Sequence, residues 1–246
     1  AVAGAAPDGL IWLAAGETHV LLPVIHKDLR FDPVKAFVPV TQIARSSGPV
    51  LIAHPGMPVR NIAELASLAK GNASPIDVAS GNRDPVIDLA TALLHATIGG
   101  SLRAQLQAPG EIPLGSVIAG RSLLGFVDPL DAAAAVRAGR VRALGIAGPA
   151  RVLALGNVPT LIESKLDGFD LSGWQGLWMP AGTPVALAER LQGAIVDALK
   201  RPAMRERMDE LGLAPVASRS VAFAAFVEQE SGRLRALAAR AGFVPR

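Results

Sequence analysis

The sequence predicts an α/β fold in which crossover helices cover a largely parallel sheet, and three observations predict it. Short apolar runs alternate with longer segments of helical period. Several helix starts are marked by a capping residue followed directly by proline. Half of the 246 residues are hydrophobic, enough for one large domain or for two lobes that each build a core.

The strand segments are Leu10–Ala14, Val50–Ala53, Ile76–Ala79, Ser122–Val127 and Val141–Ala147. Asn61 stands three residues before Glu64, the spacing of a capping box. Ile62, Leu65 and Leu68 then share one helical face until Gly71 and Asn72 stop it. Asp84 and Pro85 read as the N-cap and first residue of the next helix, with Ile87, Ala90, Leu93 and Leu94 inward and Gly99 and Gly100 ending it. Asp128 and Pro129 repeat the device before Leu130–Ala138. Thr183 and Pro184 do so again before the stripe Leu187, Leu191, Ile195 and Leu199. Helices at Pro202–Leu211 and Ser220–Ala241 make the C-terminal part mostly helical.

Composition narrows the partners. Lysine and arginine number 24 against 21 acidic residues, and the resulting +3 is spread without a long single-sign block. Aromatics are only 4% with no tyrosine, so a base-stacking platform cannot be assembled and no nucleic acid partner is expected. Cysteine is absent, which excludes disulfides, thiolate metal sites and thiol catalysis. No run reaches the roughly 18 to 20 apolar residues of a spanning helix, so no direct membrane insertion is expected. Ala1–Gly9 shows no secretory signal pattern.

An enzyme reading finds little to stand on. HExxH, GxSxG, GxxxxGK[ST] and a GxGxxG after a strand are all missing. His19, His26, His54 and His95 fall on different segments, none with a carboxylate at metal-site spacing, so neither a metal nor a cofactor is implied. Ser122 opens an apolar strand without a local base, which makes it structural. Asp84 with Asp88 is better explained by capping and the first-turn dipole than by acid–base work.

Binding has better candidates. Strand-to-helix turns leave main-chain N–H groups pointing outward with a positive partial charge, and ligands of open α/β sheets lie beyond the carboxyl ends of the strands. Ser80, Gly81, Asn82 and Asp128 fall at such ends. In the turn VASGNRDP, Ser80 and Asn82 offer donors, Gly81 permits close approach, and Arg83 can fork a carboxylate; a plain loop with a solvated arginine fits equally well. The carboxylate of Asp84 competes for the same helix terminus. Trp174 and Trp178 share one face of an extended segment, open to core packing or to a cleft wall.

Taken in order, APDGLIWLAAG, LRFDPVKAFVPVTQIA, IAELASLAK, VASGN, AGRVRALGIAG, NVPTLIE, WQGLWMPAGTP and LGLAPV resemble the extracytoplasmic solute receptors of tripartite tricarboxylate transporters, the TctC or Bug type. The resemblance covers Ala3 to the C-terminus. It implies a two-lobed, Venus-flytrap protein of the periplasmic-binding-protein type II architecture, located in the periplasm. Such a receptor captures a small carboxylate for membrane transporter subunits without transforming it. It implies a first lobe of residues 1–51 plus 170–246 and a second of residues 52–169, with hinge crossings at Pro49–Ala53 and Phe169–Gly173.

The resemblance also implies ligand positions at Thr18, His19, Ser80, Gly81, Asn82, Arg83, Asp128 and Trp174. The turn Gly16–His19 carries Glu17 where the family is small and neutral, a residue that would repel an anion. Arg83–Pro85 replace a hydroxyl-rich continuation, and the family's tyrosine is lost at Gln107–Pro109. The family's opening strand, Gly-rich loop, helix and second strand have no match here, so the first lobe is expected to be incomplete. Two expectations follow: a truncated receptor, or a degenerate flytrap fold serving as an interaction or sensor module.

Overall fold

The computed structural model describes residues 1–80, 84–108 and 111–243. In chain order its elements are β1 (Leu13–Gly16), α1 (Glu17–Ile25), β2 (Phe37–Ser46), β3 (Val50–Ala53), α2 (Ile62–Gly71), β4 (Ile76–Ser80), α3 (Pro85–Ile98), β5 (Leu102–Leu106), α4 (Pro113–Ile118), β6 (Leu124–Val127), α5 (Pro129–Arg137), β7 (Arg142–Ile146), β8 (Trp174–Pro180), α6 (Val185–Leu199), α7 (Pro202–Glu210), β9 (Leu213–Pro215) and α8 (Ser220–Arg240). They divide into two compact units. Among the described residues, unit 1 is residues 1–46 and 173–236; unit 2 lies within residues 47–172 and 237–243.

Unit 1 is built on a four-stranded sheet of order β1-β8-β2-β9 in which every pairing is antiparallel. One face is aliphatic: Val40, Leu177 and Met179 pack against Ala188, Leu191 and Ile195 of α6. The other face carries rings. Trp174 and Trp178 meet Phe223 of α8, and Trp178 also meets Phe37. Gly176 lies between the two tryptophans on that face, and a Cβ there would overlap the Phe223 ring, so only glycine lets α8 sit this close.

Unit 2 has a five-stranded sheet of order β5-β4-β6-β3-β7. β4 runs parallel to β5 and β6, while β3 is antiparallel to β6 and β7. The expected largely parallel sheet is therefore present only in part. β3 follows β2 after a link of three residues with no crossover helix, so it enters the second sheet reversed; β4, β5, β6 and β7 each follow a helix and share one sense. The core joins Val50, Ile52, Ala79, Val117 and Ile146 to the alanines of α5.

Other boundaries shift for identifiable reasons. The first strand begins at Leu13, where pairing with Trp178 starts, and leaves Leu10 80% exposed outside it. Glu17, Thr18 and His19 form the first turn of α1 instead of a strand-end turn. At α6 the N-cap is Pro184; the Thr183 hydroxyl donates to the Pro180 carbonyl and caps nothing. The Asn61, Asp84 and Asp128 caps form as their spacing predicts.

Candidate functional site

β4 and β6 are parallel neighbours, so Ser80 and Asp128 leave unit 2's sheet at the same carboxyl edge. Ser80 is buried, and its hydroxyl donates to Asp88 Oδ1 at 2.7 Å, which leaves the oxygen lone pairs as what it can offer a ligand. Asp84 Oδ1 accepts the Val86 N–H at 2.9 Å, and Asp128 Oδ1 accepts the Leu130 N–H at 2.8 Å. Both helix termini that could receive an anion thus already hold a carboxylate of the protein. Gly81, Asn82, Arg83 and Pro109 lie outside the described residues.

In unit 1 the corresponding place is the junction of β1 and α1. Thr18 is exposed in the first helical turn. Glu17 turns its carboxylate onto the main chain, accepting the Trp174 N–H at 2.8 Å. His19 points into the core: Nε2 lies 2.7 Å from the Pro33 carbonyl, and the ring packs on Phe37 and Trp178 with centroids 4.9 and 5.1 Å away. Burial holds its pKa below the ordinary histidine value, only partly offset by the Pro33 bond. The Trp174 ring is 2% exposed, enclosed by Trp178, Phe223 and Phe226.

Of the residues singled out from the sequence, the structure brings Ser80 and Asp128 to one edge and Thr18 and His19 to one helix turn. It gives His19 and the Trp174 ring to the core, because both project onto the ring-packed face of unit 1. Two partners were missed. Asp88, one turn beyond the Asp84 cap, anchors Ser80; its place in the first turn of α3 was the available signal. Glu17 appeared only as a repulsive charge, and its amide partner 157 residues away left no local trace. Ser122 donates to Gln105 Oε1 at 2.7 Å and lies 3.2 Å from the Ser116 hydroxyl, an arrangement with no general base.

A UPF0065 protein of Agrobacterium vitis, encoded in the TAR-I ttuE–ttuC′ intergenic region, is 28% identical over 88% of this chain and 62% of its own length. A UPF0065 protein of Pseudomonas sp. strain P51 is 31% identical over 86% of this chain and 63% of its own. The chain therefore spans less than two thirds of these curated relatives. Among solved structures, periplasmic binding protein BugD matches all of this chain and 82% of its own at 26% identity and TM-score 0.82. MatC from Rhodopseudomonas palustris with bound malate matches 96% of this chain and 81% of its own at 27% identity and TM-score 0.79. The fold class is thus α/β of the two-lobed periplasmic-binding-protein type. The model of the tripartite tricarboxylate transporter family receptor, TctC, matches residues 1–243, and the chain belongs to that family.

Proposed function

We propose that the chain acts as a periplasmic solute-binding receptor that captures a small carboxylate and presents it to the membrane subunits of a tripartite tricarboxylate-type transporter. The observation that carries this reading is the likeness to MatC, whose structure holds malate, over 96% of the chain. Capture without chemistry agrees with the bonding of Ser122, whose hydroxyl is directed at an amide oxygen.

In this reading Gly81 and Asn82 receive the acid in unit 2, Arg83 supplies the cation, Ser80 and Asp128 accept from a ligand hydroxyl or a bridging water, and Thr18 contributes its hydroxyl from unit 1. His19 and Trp174 act as supports, since their rings are buried. Glu17 weakens the binding of any carboxylate brought near it.

A second reading, a degenerate flytrap fold serving as an interaction or sensor module, is favoured by one observation. Glu17, Asp84 and Asp128 already satisfy main-chain N–H groups that an anionic ligand would use. Thermal melting against mono-, di- and tricarboxylates separates the two. The receptor reading expects malate or a similar acid to raise the Tm by native-state binding. It also expects Glu17→Ser to tighten the affinity about tenfold, the equivalent of removing roughly 1.4 kcal/mol of repulsion. A flat response to the whole panel in both proteins selects the interaction module.

A further inference from the structure

The ring-packed face of unit 1 contains two buried donors that the fold itself does not satisfy. Across β2 and β8, Gln42 stands opposite Gly176 and Arg45 opposite Trp174. Residues opposite one another in a ladder project from the same face, so Gln42 and Trp174 are diagonal neighbours there. That face is the one α8 covers: Phe223 lies against Gly176, and the Arg45 guanidinium sits 4.9 Å over the Phe226 ring. Both residues are 2% exposed, and neither the Gln42 amide Nε2 nor the Trp174 indole Nε1 has an acceptor among the described residues. An indole N–H can only donate, and an amide NH2 likewise, so the two cannot satisfy each other in this orientation.

We infer that Gln42 Nε2 and Trp174 Nε1, beside the Phe223 ring that packs over Gly176, share one small hydrogen-bond acceptor, a water molecule or a halide-sized anion, that takes both N–H groups. The shared requirement is a compact atom with free lone pairs. Water meets it and passes its own protons onward. An anion meets it with the Arg45 charge close by. This site is internal to unit 1 and does not depend on the receptor reading.

A high-resolution crystal structure of the 246-residue chain, native and bromide-soaked, tests it directly. The expected result is one density peak within about 3.2 Å of both nitrogens. Anomalous signal at that peak after soaking identifies an anion site; a peak without it identifies water. No peak, or a Gln42 amide turned so that its oxygen bonds the indole directly, overturns the inference. Melting of Gln42→Leu, Trp174→Phe and the double variant gives a second test. A shared acceptor lowers the Tm in both single variants, and the double loses less than their sum. A Tm raised by Gln42→Leu, or strictly additive losses, overturns it, because orphaned donors are better removed.

Discussion

Unit 1 closes its core with rings, and unit 2 closes its own with alanines and branched aliphatics. All three tryptophans of the chain lie in unit 1, where Trp174 and Trp178 join Phe37, Phe223 and Phe226 over an antiparallel sheet. Unit 2 has the stacked pair Phe126 and Phe169, and a core in which Ala132, Ala133 and Ala135 of α5 turn inward against aliphatic side chains. The difference follows from how each sheet meets its helices. Gly176 opens a hole in the antiparallel sheet that a helix fills with a phenylalanine. In unit 2 only α5 turns alanines inward, against β3 and β7, while α3 covers the parallel strands with Leu89, Leu93 and Leu94. The indoles make unit 1 sensitive to a single truncation, whereas unit 2 spreads its packing over leucines, isoleucines and one phenylalanine pair.

The largest expected effect tests that contrast at its centre. Trp178→Ala should cost about 4 kcal/mol, since a fully buried ring in contact with four others leaves a cavity the strands cannot collapse. Ala133→Gly in α5 should cost about 1 kcal/mol, mostly from helix propensity. Urea unfolding followed by far-UV circular dichroism gives both values, and equal losses would dissolve the distinction between the units.

A smaller effect sharpens it at a helix end. Asn61 Oδ1 accepts the Glu64 N–H at 2.9 Å while Glu64 Oε2 accepts the Arg60 N–H at 2.6 Å, so Asn61→Ala should cost unit 2 about 1 kcal/mol. The same measurement serves, with the tryptophan emission of the folded protein expected to stay unchanged because unit 2 contains no indole.

The smallest effect belongs to unit 1 and depends on pH. The pKa of His19 is lowered by burial, so the unfolded chain binds this proton more readily than the native one. Its contribution is complete above the unfolded value near 6.5 and is lost as the pH falls from there toward the folded value. The Tm read from tryptophan emission should therefore drop between pH 7.5 and 5.5, and His19→Phe should flatten that slope. Asp32 and Glu163, both with lowered pKa values, lose their contributions only below the ordinary carboxylate range and do not confuse this window.

Features fixed by neighbours in sequence were legible; features fixed by distant strands were not. The Asn61, Asp84 and Asp128 caps form within a few residues of their partners, and each was readable from spacing alone. β2 escaped because Pro39 interrupts its pattern and two register shifts break the alternation of its apolar positions. β5 escaped because it is an edge strand whose Arg103 faces solvent and pairs with Asp77 on β4. At the candidate site, Ser80 and Asp128 were legible as strand-end residues. The burial of His19 was not, because Phe37, Trp178 and the Pro33 carbonyl reach it only after the sheet of unit 1 is assembled.

Confinement of every indole to one unit, in a chain without cysteine, makes the protein a ready optical instrument. A single thiol introduced at exposed Lys70 in unit 2 would carry an acceptor dye at one place only. Energy transfer from the tryptophans to that dye would then follow the separation of the two units while a solute is titrated.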